Sequence, residues 1–220
     1  MHRITHLGLS VIGALTLLGS FVPAQAAQLN PTSYDTPNGN SGSYNYWDQI
    51  YTGTGNPTQD GSALSGGLGD LTDGIIAANN WNVDEAPAGN GPYVGWTQNP
   101  KITFHFSGPV NIVEIKIYLD DSNGFGGVSA PSSIDYGLAG GPYTNSVVPE
   151  PPGSLPFVHT ITGLNLNGQN FDIQLNRSNS WVFASEIQFF GTTNGGAVPE
   201  PASLLLLGSG LAGLAAWRRK

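Results

Sequence analysis

Lys101-Ile102-Thr103-Phe104-His105-Phe106 decides the fold, together with Val110-Asn111-Ile112-Val113-Glu114-Ile115-Lys116-Ile117-Tyr118-Leu119 beyond Ser107-Gly108-Pro109. Ile102, Phe104 and Phe106 share one face, with Lys101, Thr103 and His105 opposite. Further on, Val113, Ile115, Ile117 and Leu119 alternate with Glu114, Lys116 and Tyr118. A period of two is that of half-buried β-strand. The same reading predicts strands over 133–138, 157–162, 170–175 and 181–190. Turn signals separate them: Ser107-Gly108-Pro109, Ser122-Asn123-Gly124, Ala139-Gly140-Gly141-Pro142, Asn167-Gly168 and Asn176-Arg177-Ser178-Asn179. Residues 27–70 are rich in Gly, Asn, Ser, Thr, Tyr and Pro and read as long loops with a few short strands. No helical period is sustained between 27 and 201, and no fixed repeat is present. The expected class is all-β, an antiparallel jelly-roll β-sandwich.

The two ends read differently. Arg3, the apolar run from Leu7 to Val22 and Ala24-Gln25-Ala26 make a secretory signal peptide over residues 1–26, cut after Ala26. At the other end stand Pro199-Glu200-Pro201, an apolar segment over 202–217, and Arg218-Arg219-Lys220. Sixteen residues make about 24 Å of helix, short of the ~30 Å hydrocarbon core. Such a transmembrane-like helix suits temporary residence in the inner membrane, with the basic stop on the cytoplasmic side. The logic is that of a processing signal whose tail is removed.

The sequence between them (27–191, with a linker over 192–198) is long enough for one domain with a sizeable core. The net charge is −8, and four of the seven basic residues (Arg3, Arg218, Arg219 and Lys220) lie in the end segments. Lys101, Lys116 and Arg177 remain, against every acid except Glu200. So acidic a body repels phosphate backbones and excludes nucleic acid as a partner. Cysteine is absent, so neither disulfides nor thiolate metal sites contribute.

The C-terminal segment resembles the PEP-CTERM sorting signals of Gram-negative bacteria. Pro199, Glu200 and Pro201 match the motif, and Arg218, Arg219 and Lys220 match the stop. The resemblance implies an exosortase as sorting partner, export through Sec, and a final place in the periplasm, at the outer surface or in an exopolysaccharide matrix. The second copy, Val148-Pro149-Glu150-Pro151-Pro152, has no apolar run behind it and reads as a stiff loop.

Residues 60–191 resemble galactose-binding-like, discoidin-type jelly rolls. The resemblance rests on Thr72-Asp73-Gly74 leading to Trp81, then Phe104-His105-Phe106, Ile115-Lys116-Ile117-Tyr118 and Ser185-Glu186-Ile187. It implies a structural calcium ion held by Asp73 and Glu186, with Asp70 as a further candidate and main-chain carbonyls around Leu68–Gly74. Calcium takes six to eight oxygens, which tight acidic turns provide. Equally, Asp73 fits as an Asx residue stabilising its own turn, and Glu186 as a solvated carboxylate. Asp120-Asp121-Ser122-Asn123-Gly124 fails as an EF-type loop, because Phe125 and Ser132 fall where ligands are needed. It reads as a loop able to line a binding face.

Aromatic residues in Gly- and Asn-rich surroundings give the sites of ligand contact. Rings stack on the C–H faces of sugars while amides and carboxylates bond the hydroxyls. Gly91-Pro92-Tyr93-Val94-Gly95-Trp96-Thr97-Gln98 is the best single loop, and Tyr93, Trp96 and Trp181 are the candidate ligand residues. The same rings could instead plug the core, the reading preferred for Trp81. No nucleophile motif, metalloprotease helix or phosphate loop occurs, so the chain is read as non-enzymatic. The expected role is an exported, non-catalytic surface or matrix protein contacting exopolysaccharide. A purely structural envelope protein and a divergent glycan hydrolase are the alternatives.

Overall fold

The structure, a computed structural model, describes residues 26–193. The signal peptide expected up to residue 26 lies outside these residues save for Ala26. So do the whole sorting segment, with Pro199, Glu200, Pro201, Arg218, Arg219 and Lys220, and all but 192–193 of the linker. Among the described residues no helix is long and apolar enough to cross a membrane.

Nine strands carry the fold: β1 (Ala27–Leu29), β2 (Ser33–Pro37), β3 (Ala63–Gly67), β4 (Val94–Trp96), β5 (Lys101–Leu119), β6 (Ser133–Leu138), β7 (Thr144–Val147), β8 (Phe157–Asn176) and β9 (Val182–Thr193). One helical turn, α1 (Trp81–Asp84), and a 3₁₀ turn at Phe125–Gly127 interrupt the loops. Every ladder between these strands is antiparallel. The protein is therefore the all-β antiparallel sandwich that the alternation predicts.

Two of the predicted turns are not turns. Ser107-Gly108-Pro109 lies within β5 and Asn167-Gly168 within β8. Pairing passes from His105↔Asn170 to Val110↔Gly168, so β5 carries extra residues there and bends. The long strands then serve both halves of the fold. Below the bend β5 pairs with β2 through Phe104↔Tyr34; above it β5 pairs with β9 through Ile115↔Phe189 and Ile117↔Ile187. A second register shift, between Ile112 and Glu114, reverses the alternation. Ile112 and Ile115 are both fully buried, and Val113, expected on the core face, is only half-buried.

Rings from the two halves meet across the core. Phe104 and Phe106 lie edge-on to Phe189, with centroids 4.8 and 5.5 Å apart. Each fully buried ring or branched side chain contributes about 1.5–3 kcal/mol of transfer free energy. A smaller cluster of Tyr46, Ala77, Trp81, Tyr93, Val128 and Phe183 forms beside this core. Gly95 joins the two: a Cβ there would stand 2.4 Å from the Phe183 ring, so only glycine lets β4 lie against it.

Candidate functional site

The aromatic cluster opens to solvent as a recess of about 200 Å³ lined by Gly42, Ser43, Tyr46, Trp81, Gly126, Val128, Trp181 and Phe183. Tyr46 is its hub. Its ring stands edge-on to Phe183 at 4.7 Å, Trp181 at 5.3 Å and Trp81 at 5.7 Å. Phe183 and Trp81 are stacked, 20° from parallel.

Three segments distant in sequence hold these rings in place. The Asp120 carboxylate accepts hydrogen bonds from the Trp81 backbone N–H at 2.7 Å and the Ser122 hydroxyl at 3.1 Å, tying α1 to the 120–128 loop. Asp121, also fully buried, accepts from the Asn123 and Ala130 N–H groups. The acidic run that fails as a calcium loop thus folds its own turn. The Trp181 N–H donates to the Gly127 carbonyl at 3.0 Å and fixes the third segment. Gly126 sits at φ 64°, and a Cβ there would lie 2.5 Å from the Trp81 ring, so glycine is required twice over. The indole N–H groups of Trp47 and Trp96 find oxygen partners on Asp60 and Pro37, whereas that of Trp81 is buried without one.

The candidate ligand residues separate. Trp181 is half-buried in the wall of the recess. Trp96 has no exposed surface, belongs to the main core and donates to the Pro37 carbonyl at 2.7 Å. Tyr93 is 1% exposed, its hydroxyl donating to the Asn79 carbonyl and its N–H to Glu85. Neither Trp96 nor Tyr93 can stack on a ligand, which corrects their assignment. β4 pairs with β9 through Trp96↔Val182 and directs Trp96 into the main core, while Tyr93, just before β4, packs in the smaller cluster. Tyr46, Phe125 and Phe183 escape sequence reasoning as a set, because only the loop packing brings them together.

Asp70, Asp73 and Glu186 do come near one another. The Ile187 N–H donates to the Leu71 carbonyl at 2.9 Å, laying the 69–74 turn on β9, and the Gly74 N–H donates to Glu186 at 3.2 Å. Asp73 accepts from the Ile75 N–H at 2.8 Å, as an Asx residue does. Glu186, expected to be solvated under one reading, is 2% exposed. Asp48 joins the group: it accepts from the Asp70 N–H and from the Tyr34 hydroxyl. Burial, then the charges of Asp48 and Asp73, push the Asp70 carboxyl up to about 8. Burial and Asp73 push Glu186 up to about 7, and burial raises Asp48 as well.

Among the described residues no Lys or Arg pairs with these acids. Lys101 pairs with Asp172, Lys116 with Glu114, and the Arg177 guanidinium donates to the Asn179 and Ser180 carbonyls. An all-oxygen, uncompensated carboxyl group suits a hard cation such as calcium. Among the described residues, however, no three His, Cys, Asp or Glu side chains are placed to hold a metal ion by themselves. Main-chain oxygens would have to complete any shell.

The family model of the PEP-CTERM protein-sorting motif matches residues 197–220. That of the DS-like domain of discoidin domain-containing receptor 1/2 matches residues 31–136. The chain therefore carries a PEP-CTERM sorting motif and a discoidin-like domain; it is an exported protein sorted to the cell envelope or surface. No curated protein matches the chain.

Similar solved structures include a truncated AlyQ with CBM32 and alginate lyase domains, at 14% identity and a TM-score of 0.41. There 81% of this chain is covered but only 37% of the other. The family 32 module of NanJ from C. perfringens, in complex with galactose, is 10% identical with a TM-score of 0.35, covering 55% of this chain and 82% of that one. A fucose binding module from Streptococcus pneumoniae is 11% identical with a TM-score of 0.39, covering 56% and 80%.

Proposed function

We propose that this protein is exported through Sec, sorted by an exosortase, and held at the outer surface or in the extracellular matrix. There its sandwich binds carbohydrate without acting on it. The observation that carries this reading is the recess at Tyr46, Trp81, Trp181 and Phe183, where three of the rings are buried and Trp181 alone of the four is partly exposed. The exposed part of the Trp181 ring gives a sugar's C–H surface a dry contact, and the Ser43 hydroxyl offers a polar partner. The acidic group of Asp70, Asp73 and Glu186, together with Asp48, is proposed to take a structural calcium ion remote from the sugar. Its chemistry would be charge neutralisation.

The full-length chain should be retained by exopolysaccharide from a producing strain, and its tryptophan emission should change on titration. Trp181→Ala is expected to lower retention by up to about tenfold, the value of a lost aromatic contact. Because the ring is half-buried, the melting temperature should fall by only a few degrees. Equal retention by wild type and Trp181→Ala, or no retention of either by acidic and neutral polysaccharides alike, would sink the proposal. The burial of Trp96 and Tyr93 favours the second reading, a purely structural envelope protein, which predicts that last result.

A further inference from the structure

A second, wider recess lies on the other side of Trp81. It encloses about 430 Å³ between α1, the 120–128 loop and the Ser154–Leu155 loop. Its rim is apolar and unusually open to water: Phe125 is 62% exposed, Leu155 70% and Val83 55%. Its floor is polar. Asn80 donates to the Ser122 hydroxyl at 2.8 Å and to the Ser154 carbonyl at 2.7 Å, which holds the three segments together. Among the described residues the Asn82 side chain is exposed and makes no hydrogen bond, so its amide is available to a ligand.

The two recesses adjoin across one pair of rings. Trp81 walls the smaller and Phe125 the larger, and the two rings stack 6.1 Å apart at 26°. We infer that the two recesses are neighbouring subsites for successive residues of one neutral glycan chain, with the Trp81–Phe125 stack between them. This deepens the carbohydrate reading and rests on it. Apolar rims with amide and hydroxyl floors match the two faces of a pyranose. Neutrality follows from the charges. No Lys or Arg lines either recess, and the titratable groups around them are the acids Asp84, Glu85, Asp120 and Asp121. Uronate and sulfated chains would meet only like charge.

Calorimetric titration of the full-length chain tests this with glucose and cellotetraose, galactose and β-1,4-galactotetraose, and tetragalacturonate. One neutral tetrasaccharide should bind better than its monosaccharide. Phe125→Ala should weaken the tetrasaccharide about tenfold and leave the monosaccharide within about twofold. Leu155→Asp should act in the same direction, and both variants should melt close to wild type because the replaced side chains are exposed. If neither variant changes tetrasaccharide binding while Trp181→Ala abolishes it, the second subsite is refuted and the carbohydrate reading survives. If no sugar binds the wild type, both fail. Tetragalacturonate binding as tightly as the neutral chains would overturn the charge argument.

Discussion

Trp96→Ala is expected to lower the melting temperature by roughly 10 °C or more. The side chain has no exposed surface and sits in the main core beside Val94 and Val182. Removing a buried tryptophan costs about 3–5 kcal/mol when the surroundings cannot collapse into the space. β4 is pinned to β9 and Gly95 is already in contact range of Phe183, so little collapse is open to it. The Pro37 carbonyl would also lose its indole partner, a further cost of about 1 kcal/mol. For a domain of this size each kcal/mol shifts the midpoint by about 2–4 °C. Thermal unfolding followed by circular dichroism measures it. A Trp96→Ala protein that melts within two or three degrees of wild type but loses glycan retention would restore Trp96 to the binding face.

The contrast between Trp96 and Trp181 shows how far the sequence can be read. Trp96 stands in a Gly- and Pro-rich loop and Trp181 follows an Asn- and Ser-rich turn, and composition cannot distinguish a ring that faces the core from one that faces water. The deciding fact is strand pairing, a contact across more than eighty residues. Alternation did reveal β5, β6 and β9, because one buried face imposes a period of two. It misplaced two turns, because Gly-Pro and Asn-Gly can serve a bend within paired strands as well as a hairpin. Family resemblance makes Thr72-Asp73-Gly74 and Ser185-Glu186-Ile187 partners, and the structure lays them together. Asp48 had no such signal. It sits in an aromatic loop and reaches the acidic group only through the Tyr34 hydroxyl and the Asp70 N–H. Phe125 likewise gained its importance from the stack with Trp81, which no local pattern announces.

In the presence of a chelator the domain should lose stability as the pH rises from about 5 to about 8. Five buried carboxyls set the direction, Asp48 among them. Asp70 is raised to about 8, Glu186 and Glu85 to about 7, and Asp120 to about 6, in each case chiefly by burial. Their folded values lie above those of the unfolded chain, so the folded state holds protons that the unfolded state releases. Stability from this source is complete below about pH 4 and is lost as the pH climbs through the folded values. His105 acts in the same sense. Burial opposes its charge, but hydrogen bonds to Asn170 and Asp35 raise it overall, and that contribution also fades as the pH rises. His159 opposes them: burial lowers it, so its contribution is present at high pH and lost as the pH falls. Asp35 and Asp172, both lowered despite burial by the hydrogen bonds they accept, weaken the fold only below about pH 4. One pKa unit is equivalent to about 1.4 kcal/mol, so even a small part of these shifts lowers the midpoint measurably across the window. Added calcium should remove most of the Asp70 and Glu186 share, because a cation bound only by the native state stabilises the ionised carboxylates. Scanning calorimetry at pH 5, 6.5 and 8, with chelator and with millimolar calcium, separates the two claims. A midpoint that rises with pH in chelator would refute the burial argument. A midpoint that falls with pH but is identical with calcium would keep that argument and remove Asp70, Asp73 and Glu186 as a calcium site.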